Sequence, residues 1–208
     1  EMSTVVLAGT GNSGEIYRST DGGQSWSLVQ QLGSESHVYA LADLGGGVVL
    51  AGTGPSGQVY RSTDGGQSWS LVQRLGTESQ VWSLVNLGGG VVLAGTYPNG
   101  QVHRSTDGGQ SWRLVQALGT ESYVSHVWSL AYLGGVVVLA GTGPNGQVYR
   151  SISGGRSWGL MQRLGSENQV RSFADLGDGV VLAGAGPYGR VYRSTDGGQS
   201  WSLVQRLG

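Results

Sequence analysis

The chain has 208 residues, 40 of them glycine, with no cysteine, no lysine, and 12 arginines against 13 acids for a net charge of −1. That inventory excludes a disulfide scaffold, a cysteine-ligated metal and a cysteine nucleophile, and leaves no basic surplus for nucleic acid. Glycine without a Gly-x-y period and only 4 prolines exclude collagen and a proline-rich disordered chain, and no apolar run approaches the ~20 residues of a membrane span.

The chain opens Glu1-Met2, as a tagged or excised segment does, and no leader pattern follows. Val5 starts an apolar run that predicts a strand. Asn12-Ser13-Gly14 turns the chain, a strand ending at Arg18-Ser19 follows, and the stretch to Trp26 turns it again. A different, β-rich strand then begins at Val38. From there the unit repeats, and its second copy reads most clearly. Val81–Val85 is a strand, Gly88-Gly89-Gly90 a turn, and Val91–Thr96 an apolar strand buried on both faces. Pro98-Asn99-Gly100 turns into a third strand, Gln101–Ser105. Asp107-Gly108-Gly109 turns into Trp112–Gln116, whose alternation predicts a half-buried outer strand. Helical periodicity is sustained nowhere.

Arg18, Arg61, Arg104, Arg150 and Arg193 sit in matching contexts about 43 residues apart, with one interval lengthened at Tyr123-Val124-Ser125. Val59–Gly76 and Val191–Gly208 are identical. A period of this size with four short strands suits a propeller blade, for which ~40–50 residues is usual. The apolar strand starts five times, at Val5, Val48, Val91, Val137 and Val180, whereas the strand before it starts only four times, at Val38, Val81, Val127 and Val170. The expectation is therefore an all-β, five-bladed β-propeller over residues 1–208 as a single domain, with 19 recognisable strands. One sheet edge is left unpaired, which opens a homodimer through that edge as a partner arrangement.

Every third-to-fourth hairpin carries Ser-x-Asp-Gly-Gly-x-Ser-Trp: Ser19, Asp21 and Trp26; Ser62, Asp64 and Trp69; Ser105, Asp107 and Trp112; Ser194, Asp196 and Trp201. The fourth copy has Ser151 and Trp158 but Ser153 at the aspartate position. A carboxylate and a hydroxyl there can accept backbone N–H groups, the glycines permit positive φ, and the indole covers the hairpin. The motif resembles the Asp-box, or bacterial neuraminidase repeat, of propellers that include sialidases, sortilin-type receptors and assembly factors of the Ycf48 type. The resemblance implies that the box is a structural turn on the blade periphery. It also tilts the location toward secreted or periplasmic, with the compartment otherwise open.

A sialidase would require converging arginines and an Arg-Ile-Pro tripeptide, which is missing; these arginines instead repeat once per blade. The repeating arginine reads as an interblade ion pair or a stack on tryptophan rather than a ring of anion-binding groups. The first strand varies most between copies: Tyr39, Trp82, Trp128 and Arg171 at one position, Asp43, Asn86, Tyr132 and Asp175 later on, and His37 and His126 earlier. Aromatics beside polar groups can stack on sugar rings and bond hydroxyls, so the first eight of these, without the histidines, are the candidate ligand-binding residues. Tyr97 and Tyr188, in the Pro-x-Gly turns, mark a second candidate rim. The reading is a non-enzymatic binding module for a glycan or a protein, lectin-like in its first form. A protein scaffold of the Ycf48 type and an amplified or engineered propeller without a ligand remain the alternatives. No metal, cofactor, nucleic acid or membrane is implied.

Overall fold

The computed structural model describes residues 4–119 and 124–207. The described residues form nineteen strands in five antiparallel sheets. The first blade has three strands, β1 (Val6–Gly9), β2 (Glu15–Ser19) and β3 (Ser27–Gln31). The second has β4 (His37–Gly45), β5 (Val48–Gly54), β6 (Gln58–Ser62) and β7 (Ser70–Arg74). The third has β8 (Gln80–Gly88), β9 (Val91–Tyr97), β10 (Gln101–Ser105) and β11 (Arg113–Ala117). The fourth has β12 (His126–Tyr132), β13 (Val138–Gly143), β14 (Gln147–Ser151) and β15 (Gly159–Arg163). The fifth has β16 (Gln169–Asp175), β17 (Val181–Gly186), β18 (Arg190–Ser194) and β19 (Ser202–Arg206). Each sheet is a meander in sequence order, so short turns suffice throughout. Of the lengthened interval, Tyr123 lies outside the described residues.

In the second, third and fourth blades the apolar runs become the second strand and are buried on both faces, as in Val138–Gly143, whereas β1 and β17 of the end blades are only partly buried. The inner strands of these three blades meet a neighbouring blade on each side, so both rows of side chains leave water. The outer strand departs from its expected alternation. It begins one residue after the box tryptophan, and Leu71, Leu114 and Leu203 point to solvent. The cause is a β-bulge: Tyr60 pairs with Leu71 and Val59 with Gln73, so Val72 is an extra residue that breaks the two-residue period. The same bulge recurs in all five blades.

One joint, repeated four times, holds the blades together. The repeating arginine donates its Nε–H to the carbonyl of the first box glycine in the next blade: Arg18 to Gly65, Arg61 to Gly108, Arg104 to Gly154 and Arg150 to Gly197, at 2.8–3.0 Å. The contact is a charge-assisted bond to backbone, not an ion pair with a carboxylate. Beside it, a glutamine amide brackets the next box tryptophan. Gln73 accepts from the Trp112 backbone N–H and donates to the Trp112 carbonyl, and Gln30, Gln116 and Gln162 do the same for Trp69, Trp158 and Trp201. The core is accordingly interblade. Trp69 and Tyr60 of the second blade close over Ile16 and Leu32 of the first, and Trp112 closes over Leu50, Val59 and Leu75.

Glycine permits the close approach. A Cβ on Gly52 would lie 2.6 Å from Val81 Cγ1 of the next blade, so the inner strands of neighbouring blades touch almost backbone to side chain.

Candidate functional site

The five hairpin boxes and the inner glycine turns share one end of the blades, since Gly65 N–H donates to the Gly47 carbonyl and Gly108 N–H to that of Gly90. Within a box, Asp64 Oδ1 accepts the backbone N–H groups of Gln67 and Ser68, Oδ2 accepts the Ser68 hydroxyl, and Ser62 donates to Oδ1. The Ser62 Oγ in turn accepts the Gly66 N–H. So many donors stabilise the charged carboxylate. Hydrogen bonds led by Ser19 and Ser68 hold Asp21 and Asp64 well below the ordinary carboxylate range, and bonds led by Ser111 and Ser200 lower Asp107 and Asp196 to about 2. Trp69, Trp112 and Trp201 are buried and donate Nε1–H to a box glycine carbonyl. In the fourth box Ser153 Oγ accepts only the Ser157 N–H from the backbone. The buried Trp158 Nε1–H of that box has no partner, but in the four aspartate boxes these groups satisfy one another, as those of a structural turn do.

The eight candidate residues separate into two sets. Asp43, Asn86, Tyr132 and Asp175 lie at the box end of the first strand and serve turns there. Asp43, Asn86 and Asp175 accept the N–H of the glycine two residues on, Tyr132 donates to the Gly135 carbonyl, and Asn86 reaches across to the Asp43 carbonyl. Tyr39, Trp82, Trp128 and Arg171 lie near the other end, and the structure brings all four together.

Their convergence has a backbone cause. In β4, Val38 pairs with Thr53 and Ala40 with Gly52, so Tyr39 is the extra residue of a bulge. Trp82, Trp128 and Arg171 occupy the same bulge in β8, β12 and β16. A bulge takes its residue out of the inward–outward alternation and re-aims the side chain. Four such side chains from consecutive blades make a continuous stack. Tyr39 lies 4.1 Å from Trp82 between ring centroids, Trp82 4.4 Å from Trp128, and the Arg171 guanidinium carbon 4.1 Å above the Trp128 ring. Arg171 Nε donates to Gln169 Oε1, which holds the guanidinium over the indole.

Three residues outside the eight complete the stack. His37 is parallel to Tyr39 at 5.1 Å, and His126 lies between Tyr97 at 4.2 Å and Trp128 at 4.3 Å. Tyr97 belongs to the Pro-x-Gly turn, so the two expected rims are one surface. Tyr188, by contrast, stands exposed under Arg190. Each histidine Nδ1 is within hydrogen-bond distance of the preceding serine hydroxyl. Burial, and then the Arg171 charge, push the His126 imidazole below its ordinary pKa, so the stack carries a neutral ring beside the guanidinium. Room for the rings comes from glycine again: a Cβ on Gly143 would lie 2.6 Å from Trp128 Nε1, and one on Gly54 2.8 Å from Tyr39. Position 97 carries tyrosine where these blades carry glycine, and that exchange supplies the extra ring.

Beneath this rim lie buried carboxylates. Glu35, Glu78 and Glu167, one per interblade loop, are almost fully enclosed. Each accepts the N–H of a Pro-x-Gly turn residue through Oε2: Ser56, Asn99 and Tyr188 respectively. Their other oxygens differ. Glu78 Oε1 takes the Asn99 side-chain amide and Glu167 Oε1 takes Arg190 at 2.8 Å, but Glu35 Oε1 is buried with no partner. Replacing Ser56 with asparagine, as at position 99, is expected to supply the missing donor. A gain of about 1 kcal/mol in denaturant unfolding is the expected result, and an unchanged or lower midpoint would refute it.

The BNR/Asp-box repeat model matches residues 17–28, 60–71, 103–114 and 192–203, skipping the hairpin where Ser153 replaces aspartate. No curated protein matches the chain significantly. Among solved structures, Ycf48 bound to D1 peptide superposes with a TM-score of 0.69 at 19% identity over 98% of this chain and 69% of that one. An ancestral GH74 enzyme superposes with a TM-score of 0.74 at 22% identity, over 98% of this chain but only 30% of its own. The WD40 β-propeller domain of Doa1 gives a TM-score of 0.70 at 15% identity, over 95% of this chain and 64% of that one. At such identities the likeness carries the fold and not the activity. Five antiparallel blades and four matched hairpins make this chain a β-propeller built on BNR/Asp-box repeats.

Proposed function

We propose that the chain is a non-enzymatic binding propeller whose aromatic rim docks a segment of a protein partner. The observation that carries this reading is the asymmetry of the stack. Equivalent sites for a repetitive glycan would present the same side chain in each blade. Here the equivalent bulge position holds tyrosine, tryptophan, tryptophan and arginine, joined into one surface with Tyr97 and the two histidines. Half-exposed rings suit apolar or proline side chains of an extended segment, and the outer guanidinium nitrogens of Arg171 suit a carboxylate. That a structural neighbour, Ycf48, has been seen with a peptide bound is consistent with this use of the fold.

A random peptide display, run in parallel with a glycan array, tests the proposal. Selected peptides are expected to lose at least tenfold in affinity on Trp82→Ala, and those with a carboxylate to lose it on Arg171→Glu. Peptides that bind equally well to both variants would sink the assignment. The lectin-like reading rests on the half-exposed indole faces. It takes over if oligosaccharides bind and Trp82→Ala abolishes that binding. An amplified propeller without a ligand is the reading if neither array gives a Trp82-dependent signal.

A further inference from the structure

The interblade joint occurs four times inside the chain, and each half of it also stands open once. Leading faces carry an arginine Nε–H, a glutamine amide and a leucine of the second strand; receiving faces carry the box glycines and tryptophan. The leucine seats against the second box glycine of the next blade, as Leu50 does on Gly109 and Leu93 on Gly155. In the fifth blade the leading residues are Leu182, Arg193 and Gln205. Among the described residues, the Arg193 and Gln205 side chains have no hydrogen-bond partner, and Arg193 is exposed where the four other repeating arginines are half-buried. Val204 and Leu203 are exposed beside them. In the first blade the receiving residues are Gly22, Gly23 and Trp26. Trp26 is 42% exposed, although Trp69, Trp112, Trp158 and Trp201 are only 5–8% exposed in equivalent hairpins. Among the described residues, no packing comparable to that between consecutive blades joins the fifth blade to the first.

We infer that copies of this chain associate head to tail, the fifth blade of one docking on the first blade of the next. The proposal is independent of the aromatic rim. The occupant is a second copy because the two open faces are the complementary halves of a joint that this sequence already builds four times. Arg193 would donate to the Gly22 carbonyl of the next copy, Gln205 would bracket Trp26, and Leu182 would seat on Gly23. The second strand of the fifth blade shows the same vacancy. A Cβ on Gly184 would meet only its own blade's Ser172, whereas one on Gly52, Gly95 or Gly141 would strike a valine of the next blade. Such an interface is heterologous, so it propagates until the rotation closes a ring.

The test is light scattering across a dilution series on the chain and on two surface variants, Arg193→Glu and Trp26→Glu. The unsubstituted chain is expected to exceed its 21.6 kDa mass at high concentration and approach it on dilution. Each variant alone is expected to stay at the single-chain mass, because each has lost one half of the joint. Mixed in equal amounts they are expected to give a complex of twice that mass and no more, since each still carries the half that the other lacks. Circular dichroism checks that both remain folded. Acrylamide quenching of the unsubstituted chain adds a readout that needs no substitution: Trp26 becomes protected as concentration rises. A mass of 21.6 kDa at every concentration overturns the inference. A single-chain mass with Trp26 already protected also overturns it, by showing that the chain's own fifth blade covers the first. Variants that associate as the unsubstituted chain does overturn it as well.

Discussion

Trp112→Ala is expected to destabilise the propeller by about 3–5 kcal/mol, the range for removing a buried tryptophan. Trp112 is enclosed among Leu50, Val59, Leu75, Val81 and Ala94 from two blades, and its Nε1–H is bonded to the Gly109 carbonyl. The excavated space lies between two sheets, so it can collapse only by shifting one blade against another. Trp26→Ala removes the same side chain from an equivalent hairpin and is expected to cost about 1 kcal/mol or less, because Trp26 is half in water and covers no preceding blade. Urea unfolding of both variants checks the pair at a protein concentration where the chain is monomeric. Equal losses would mean that the tryptophan acts within its own hairpin and that the interblade account is wrong.

Gly109→Ala is expected to cost about 2–4 kcal/mol, combining a left-handed backbone with overpacking. Gly109 has φ near 82°, and its new Cβ would lie 2.6 Å from both terminal carbons of Leu50 in the preceding blade. Leu50 is fully buried and has nowhere to move. Gly23→Ala is the control. Its φ is also positive, but only the Trp26 ring at 3.8 Å would face the new methyl, so the backbone term alone of about 1 kcal/mol remains. Gly108→Ala is a second control within the same turn, with φ near 71° and only Arg61 Nη2 at 3.9 Å. Thermal melts that rank Gly109→Ala far below the other two would assign the second glycine of the box to blade packing. Three equal losses would assign it to turn geometry alone.

The comparison also explains why the box carries two glycines. The first exposes a carbonyl to the arginine of the preceding blade. The second makes room for that blade's leucine. A hairpin needs positive φ at these sites, but the intolerance of the second position comes from a residue 59 positions earlier in the chain, Leu50 for Gly109. Periodic glycine was visible in the sequence; its partner across the blade boundary was not.

Much of this protein follows from the sequence by itself. Strand identity, the blade period, the three-stranded first blade and the satisfied turn of each hairpin are local matters. They depend on alternation, on glycine and on side chains a few residues apart, all of which the chain displays in order. Tyr39, Trp82, Trp128 and Arg171 were visible as the variable residues of a repeated strand, but so were Asp43, Asn86, Tyr132 and Asp175, and nothing in the spacing separates the two sets. Tertiary structure separated them. A bulge lifts the first set out of the pleat, and packing of consecutive blades brings residues some 43 positions apart within van der Waals reach; the second set stays at the turns, bonded to its own backbone. Which faces remain open was likewise decided only in three dimensions. Identical hairpins differ in burial according to whether a blade stands beside them, and that neighbour is a property of the assembled sheets rather than of any residue in the hairpin.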